Sequence, residues 1–260
     1  MRLRGRIVVL TAGAAMIGGV AACTSTVAAQ APPVPAPAAT AAARTRVPSP
    51  PSPPSPSRSP ARPAIEVTGA PSGVKARGAV LADAATGQVL WGRDVDTARP
   101  MASVTKVMTA LLVLKGGDLD RQIRVPKAAV TYAWKYGGET AALRPGDVLT
   151  ARELLEALLL PSGADAAYTL ANAYGPSLDA FVARMNATAA QMGLSHTHFT
   201  SPDGLPYPTE TSTYSTPSGL LTLGLAAMRS PVFRSVVGRS FYHLPKGTVI
   251  TATGGTTPMS

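Results

Sequence analysis

Hydrophobic and polar residues begin to follow a regular pattern at about Val74. Two short apolar runs, Ala79–Ala82 and Gln88–Trp91, flank the tripeptide Ala85-Thr86-Gly87. Strand-length apolar runs on either side of a glycine-containing turn are typical of a β-hairpin. The pattern therefore predicts a hairpin at the start of the folded part.

Helical patterns dominate the rest of the chain. The first covers residues 103–115, where apolar residues recur at helical spacing before Gly116-Gly117 ends the repeat. Three later helices are predicted by a cap residue followed by an apolar repeat. Their caps are Thr150, with Glu153 at the capping-box position, Ser177, and Thr216, whose helix runs through Met228. This combination predicts an α+β fold, a mostly helical body that carries an antiparallel sheet.

The first 22 residues have the layout of a secretory signal peptide. Basic MRLRGR is followed by the weakly apolar IVVLTAGAAMIGGV and by small residues. Residues 20–23, VAAC, resemble a bacterial lipobox, which implies lipidation of Cys23, the only cysteine of the chain. The alternative is cleavage after Ala31, at the AQA of residues 29–31, which would discard Cys23. Both interpretations place the domain outside the cytoplasm, and the first anchors it to the membrane.

Residues 23–64 are predicted to be a disordered, proline-rich linker. Twelve of the 25 prolines lie between Pro32 and Pro63, and no large apolar residue is available for a core. As a polyproline II spacer the tract would reach at most about 100 Å. The first 65 residues also carry seven arginines and no acidic residue, which leaves 17 basic against 14 acidic residues in the remainder. Residues 65–260, the predicted domain, therefore lack the strongly basic surface that nucleic-acid binding requires.

Ser103-Val104-Thr105-Lys106 at the start of the first helix is a candidate catalytic motif of the type S-x-x-K. Residues three apart share a helix face, so the lysine amine can approach the serine oxygen. A lysine whose pKa is lowered by burial can take the serine proton. Taken alone, the pattern favours a serine that caps the helix and a lysine that points into solvent.

A second candidate motif follows the predicted helix ARELLEALLL. Its sequence is PSGADAA, with Ser162, Gly163 and Ala164 at its centre. By itself an S-G-x-D pattern indicates a turn and a helix cap. Alternatively, Ser162 would face Ser103 from a loop and relay a proton.

Five segments, in order, make the two motifs more specific. They are DAATGQVLWGRD, ARPMASVTKVMTALL, GGETAALRPGDVLTARELLEALLLPSGADAA, MGLSHTHFTSPDGL and MRSPVFRSVV. Their succession from about Arg77 to about Lys246 resembles the D-alanyl-D-alanine carboxypeptidases, the low-molecular-mass penicillin-binding proteins with S-x-x-K and S-x-N motifs. The resemblance implies the serine β-lactamase/DD-peptidase-like fold.

The resemblance also implies the chemistry. Ser103 would attack the carbonyl between the two terminal D-alanines of a peptidoglycan stem peptide, Lys106 would act as the general base, and Ser162 would shuttle protons. β-Lactam antibiotics would acylate the same serine. Gly163 and Ala164 would contribute weakly to substrate binding. No cofactor and no metal are implied, and the three histidines, His196, His198 and His243, are interpreted as loop or structural residues.

Two departures from the family pattern change these expectations. Ala164 stands where the family usually has asparagine, so the amide that holds a substrate carbonyl is replaced by a methyl group. The K-T-G motif of a later strand is expected beyond PVFRSVVGRSFYHLP, whereas Lys246-Gly247-Thr248 is interpreted as a turn. We therefore expect a domain truncated before the third motif, with an incomplete sheet and impaired activity; a frameshift near Gly247 is one hypothesis for this end. The alternatives are an inactive wall- or penicillin-binding remnant and a serine β-lactamase.

Overall fold

The structure is a computed structural model that describes residues 71–253 and 256–258. The predicted signal peptide, Cys23 and the linker of residues 23–64 lie outside the described residues. Among the described residues there are seven α-helices, which are α1 (Lys106–Gly116), α2 (Lys127–Lys135), α3 (Ala151–Leu159), α4 (Ala164–Tyr174), α5 (Leu178–Gln191), α6 (Pro217–Met228) and α7 (Pro231–Val237).

The strands are short and form four separate antiparallel sheets in the same part of the chain. The strands are β1 (Ala79–Ala82), β2 (Val89–Arg93), β3 (Arg99–Pro100), β4 (Gln122–Arg124), β5 (Val148–Thr150), β6 (Tyr214–Ser215), β7 (Phe241–His243), β8 (Thr248–Thr251) and β9 (Thr256–Pro258). The pairs are β1–β2, β3–β6 and β4–β5, and β7, β8 and β9 form a three-stranded sheet. The fold is α+β with a mostly helical body, as the sequence predicts.

The elements that the sequence predicts are present, with small shifts at their ends. The hairpin pairs Leu81 with Trp91, and Gly87 in its turn has a φ of 72°. Thr150 and Glu153 form a complete capping box on α3. The side chains of Ser177 and Thr216 cap α5 and α6 by accepting from backbone N–H groups. The sequence patterns missed α2, α4 and α7 and all strands beyond the hairpin.

Helix α1 lies at the centre of the fold because it is apolar on all sides. Ala110 and Val113 pack into one hydrophobic cluster with α3 and α4. Met108 and Leu111 pack into a second cluster with α5 and α6. The helix therefore contributes to both cores.

The segment Lys246-Gly247-Thr248 is a turn, as the sequence predicts. A short 3-10 helix covers Pro245–Gly247, where Gly247 has a φ of 85°, and the chain then enters β8. In the described part of the chain the β1–β2 hairpin pairs with no further strand. No single helix described here is long and apolar enough to span a membrane. Helices α6 and α7, which are bent relative to each other, reach the required length and apolar composition only as a pair.

Candidate active site

Ser103 lies on a tight turn that leads into α1. The residues Ala102–Thr105 form a 3-10 helix, rather than the α-helical turn that the sequence predicts. In a 3-10 helix, side chains three residues apart eclipse one another, so Ser103 lies directly over Lys106. Lys106 Nζ donates a hydrogen bond to Ser103 Oγ at 3.0 Å. Ser103 itself is exposed, so a reactant can approach its hydroxyl.

The backbone just before Ser103 is in an unfavourable conformation. Ala102 has a φ of 46°, in the left-handed region that a residue with a Cβ rarely adopts. Such a conformation costs about 1–2 kcal/mol. It persists only where the surrounding structure fixes it, and it is common at functional sites. The turn that presents Ser103 is therefore held by its neighbours rather than by its own preference.

Lys106 is buried, although lysine is among the residues that are least often buried. Only 4% of its surface is exposed. Burial lowers the pKa of Lys106 from its usual 10.5, because an ammonium ion loses its hydration there, while the carboxylates of Asp203, Asp165 and Glu139 oppose this effect. A lysine of lowered pKa beside a serine hydroxyl is the arrangement required for proton abstraction.

The second partner of the lysine amine comes from the loop between α5 and β6. Lys106 Nζ donates to the backbone carbonyl of Asp203 at 2.9 Å. Gly204, with a φ of 83°, lies so close to the nucleophile turn that an added Cβ would overlap the carbonyl oxygen of Ala102. The segment SPDGL at residues 201–205 thus packs directly against the turn that carries Ser103.

The second predicted motif lies in the loop between α3 and α4. Ser162 is partly buried and has a φ of 63°, another left-handed residue with a Cβ. Among the described residues its hydroxyl makes no hydrogen bond to Ser103 or to Lys106. The second motif nevertheless lies close to the segment that holds Lys106, because Gly138 packs against both Ala164 and Leu205. The carboxylates of Asp165 and Glu139 also oppose the lowering of the Lys106 pKa.

Gly163 and Ala164 hold the second motif in place through their backbones. The Gly163 N–H donates to the carbonyl of Ala157 at 3.1 Å, and the Ala164 N–H donates to the carbonyl of Glu139 at 2.7 Å. Ala164 is fully buried against Gly138. Its side chain is a methyl group and offers no hydrogen bond to a substrate.

Asp165, for which the sequence patterns predict no functional role, organises the loop beside the second motif. Its fully buried carboxylate accepts from Thr140 Oγ1 at 2.5 Å and from the backbone N–H groups of Ala141 and Leu143 at 3.1 and 3.2 Å. An acidic residue in the first turn of a helix is common for electrostatic reasons. Its contacts with residues 140–143 could not be read from that pattern, because they join segments about 22 residues apart.

The site consists of an exposed serine that lies over a buried lysine, with a second serine on a neighbouring loop. This arrangement is a candidate serine–lysine nucleophilic site on an α+β body. The sequence of residues 65–241 matches the D-alanyl-D-alanine carboxypeptidase family. That match covers more than half of the chain, so the protein belongs to this family. The resemblance inferred from the five ordered segments is confirmed.

Curated relatives and solved structures agree with this assignment. The chain is 39% identical over 165 residues to a D-alanyl-D-alanine carboxypeptidase of Streptomyces sp. (strain K15), covering 60% of this chain and 56% of the relative. It is 42% identical over 166 residues to the D-alanyl-D-alanine carboxypeptidase DacB2 of Mycobacterium tuberculosis, covering 64% and 55%. The chain thus spans about half the length of these relatives.

The crystal structure of the Streptomyces K15 DD-transpeptidase superposes with a TM-score of 0.61 at 36% identity, over 70% of each chain. The D-alanyl-D-alanine carboxypeptidase structure from Mycobacterium tuberculosis superposes with a TM-score of 0.63 at 38% identity, over 68% of this chain and 66% of the other. The predicted DD-peptidase-like fold is therefore confirmed.

Proposed function

We propose that the protein is a serine-type D-Ala-D-Ala carboxypeptidase that acts on peptidoglycan stem peptides through an acyl-enzyme at Ser103. The observation that carries this proposal is the 3.0 Å contact between Ser103 Oγ and the amine of a buried Lys106. The lowered pKa of Lys106 supports its role as general base. The names of the relatives supply the substrate class, a peptide ending in D-Ala-D-Ala.

The proposed reaction begins when the neutral Lys106 amine accepts the Ser103 proton. Ser103 Oγ then forms a bond to the carbonyl carbon between the two D-alanines, and the carbon–nitrogen bond breaks as the leaving D-alanine takes a proton. Water attacks the ester and releases the shortened peptide, and the proton returns to Ser103. Splitting hydrolysis into acylation and deacylation replaces one difficult step by two easier ones.

Ser162 is proposed as the group that relays the proton between Lys106 and the leaving amine. Its position on the loop before α4 and the effect of the neighbouring Asp165 charge on Lys106 support this role. Gly163 and Ala164 are proposed to line the substrate weakly through backbone and methyl contacts. β-Lactams resemble the scissile amide, so they are proposed to acylate Ser103 as well.

The acceptor of the acyl group decides between two outcomes of the same chemistry. Water gives carboxypeptidase activity, whereas an amine gives transpeptidation, the activity named for the Streptomyces K15 structure. We take hydrolysis as the proposal because the matched family and both curated relatives carry that name. The competition is measured by adding an acceptor amine to the assay described below.

The substrate places the site of action outside the cytoplasm, in the cell wall. We further propose that the chain is exported by residues 1–22 and anchored to the membrane by a lipid on Cys23. The lipobox-like VAAC and the linker of residues 23–64 support this arrangement, because the linker would let the domain reach the wall. Cleavage after Ala31 remains the alternative to be tested.

The experiment measures two products with the purified full chain. D-alanine release from a peptide ending in Lys-D-Ala-D-Ala is followed by an oxidase-coupled assay, and acylation is followed with a fluorescent penicillin. We expect both signals from the wild type and neither from Ser103→Ala. Ser235→Ala is the matched control, because Ser235 is an exposed serine on α7, outside the site. The control should retain both signals.

The outcomes separate the proposal from its rivals. Penicillin labelling without D-alanine release would indicate a binding remnant. Rapid loss of the label with release of hydrolysed penicillin would indicate a serine β-lactamase. The absence of Ser103-dependent labelling and of D-alanine release would exclude the proposed function.

A further inference from the structure

Asp203 is a buried carboxylate that organises a turn of its own. It is fully buried, with 0% of its surface exposed. Oδ1 accepts from Ser201 Oγ at 2.7 Å and from the Leu205 N–H at 3.0 Å, and Ser201 Oγ in turn accepts from the Gly204 N–H at 2.9 Å. The carboxylate therefore holds the SPDGL segment together, because it accepts directly from Ser201 and Leu205 and, through the Ser201 hydroxyl, is linked to the Gly204 N–H.

This turn delivers one backbone carbonyl to the reactive lysine. The carbonyl of Asp203 accepts from Lys106 Nζ, and the carbonyl of the preceding Pro202 accepts from Thr109 Oγ1 at 2.6 Å. Two successive carbonyls thus bind side chains one helical turn apart on α1. These two hydrogen bonds fix the position of the turn along α1. They also fix the direction in which the Lys106 amine is held.

We propose that Asp203 is a positioning residue for the reaction at Ser103. Its carboxylate shapes the turn whose carbonyl orients the Lys106 amine toward Ser103 Oγ, and its negative charge adjusts the proton affinity of that amine. The inference rests on the proposed function, since it assigns Asp203 a part in the acylation step. Asp203 acts through Lys106 and need not touch the substrate.

The charges around the amine define what the loss of Asp203 should do. Asp203, Asp165 and Glu139 are the acidic groups that act on Lys106, and all three favour its protonated form. Tyr132 on α2 lies beside Asp203, and burial together with that carboxylate raises the pKa of Tyr132. The Tyr132 hydroxyl therefore stays protonated. Asp203 Oδ2 is buried, and the Tyr132 hydroxyl interacts with both the Asp203 carboxylate and the Ser201 hydroxyl.

Two substitutions separate the charge of Asp203 from its shape. Asp203→Asn keeps a carbonyl oxygen that can accept from Ser201 and Leu205, but it removes the negative charge. Asp203→Ala removes both and releases the turn. Glu210→Gln is the matched control, because Glu210 is an exposed acidic residue seven positions further along the same loop.

The measured quantity is the rate constant of penicillin acylation as a function of pH. We expect the Asn variant to shift the midpoint of the profile to lower pH, because a neutral amide no longer favours the ammonium form. We expect the Ala variant to lower the plateau by about 10–10²-fold, since displacing a catalytic group by about 1 Å can cost 10²-fold. The Asn variant should recover most of that plateau, and Glu210→Gln should leave both features unchanged.

A second measurement tests the same inference without any activity. The chain has six lysines, so ¹³Cε labelling of lysine gives a simple spectrum in which the Lys106 signal is identified by its loss in Lys106→Arg. The Lys106 titration should move to lower pH in Asp203→Asn and not in Glu210→Gln. If the wild type is not acylated, the proposed function fails while this titration still tests Asp203. A Lys106 titration that does not move, or an Asp203→Ala plateau equal to wild type, would overturn the inference.

Discussion

The burial of Lys106 is the residue-level feature on which the chemistry depends. A solvent-exposed lysine is almost entirely protonated at neutral pH and cannot accept a proton. Moving an ammonium group out of water costs several kcal/mol, which here is partly offset by the Asp203 carbonyl and the nearby carboxylates. Burial of Lys106 thus lowers the stability of the fold, but it favours the neutral amine, which can accept a proton.

The first residue-scale prediction concerns the pH dependence of acylation. The rate should rise with pH as Lys106 loses its proton, with a midpoint below 10.5, because burial lowers the pKa of this amine. Lys106→Arg should lower the rate by about 10²–10⁴-fold, the usual contribution of a general base, and should abolish the rise because arginine stays protonated. The measurement is fluorescent-penicillin acylation from neutral pH upward.

Lys135→Arg is the matched control for this prediction, because Lys135 is an exposed lysine at the end of α2. It should leave the rate and the profile unchanged. A Lys106→Arg variant with the wild-type profile would remove Lys106 from the mechanism.

A second residue-scale prediction concerns Gly163. A Cβ at this position would lie 2.7 Å from the Ala157 carbonyl oxygen and 2.7 Å from Asp165 Oδ1. Gly163→Ala should therefore lower the free energy of unfolding by about 1–3 kcal/mol, as overpacking does. Gly224→Ala, in the open interior of α6, should instead raise it by about 0.5–1 kcal/mol. Urea denaturation of both variants checks this pair, and equal effects would contradict the packing argument.

At the scale of elements, the site depends on where helices begin. Ser103 lies in the turn before α1, and Ser162 and Gly163 lie immediately before α4. Both approaches contain a left-handed residue with a Cβ, Ala102 and Ser162. The helices themselves supply rigid, buried supports, and these two left-handed residues lie in the turns that present the two serines.

The element-scale prediction concerns the cap of α3, the helix that leads into the second motif. The Thr150 side chain accepts from the Glu153 N–H at 3.1 Å, and the Glu153 carboxylate accepts from the Thr150 N–H at 2.7 Å. Thr150→Ala should lower the free energy of unfolding by about 1 kcal/mol. Thr150→Ser keeps the hydroxyl and should restore most of that loss. Urea denaturation measures both; an Ala variant as stable as wild type would show that the cap contributes nothing.

At the scale of the whole molecule, most of the net positive charge of the chain lies in the segment that precedes the domain. Seven of the arginines lie in the first 65 residues, which contain no acidic residue. We expect this segment to export the protein and to hold it at the membrane. The folded domain, by contrast, is nearly balanced in charge and suits a small peptide substrate rather than a polyanion.

The whole-molecule prediction concerns Cys23. In a bacterial host that processes lipoproteins, the wild type should incorporate an alkyne-labelled fatty acid and sediment with membranes. Cys23→Ser should lose the label and the membrane association, whereas the neighbouring Ser25→Ala should keep both. N-terminal sequencing adds a direct readout. A mature N-terminus at residue 32, with no fatty acid in the wild type, would instead establish cleavage after Ala31.

Local patterns predicted the elements of the fold that local chemistry determines. The capping box at Thr150, the glycine turn of the hairpin and the Thr216 cap of α6 depend on neighbouring residues, and the structure confirms them. The 3-10 form of the turn at Ser103 could not be predicted from local patterns, because this turn packs against Gly204, about 100 residues away. The contact between Lys106 and the carbonyl of Asp203 could not be predicted for the same reason, because the two residues are 97 positions apart.

The role of Ser103 as a nucleophile activated by Lys106 is tested by incubating the full chain with benzylpenicillin, digesting it, and locating the adduct by tandem mass spectrometry. We expect one penicilloyl group on the Oγ of Ser103. This adduct should be absent from Ser103→Ala and strongly reduced in Lys106→Arg. An unmodified Ser103, or an adduct on a different residue, would show that Ser103 is not the nucleophile.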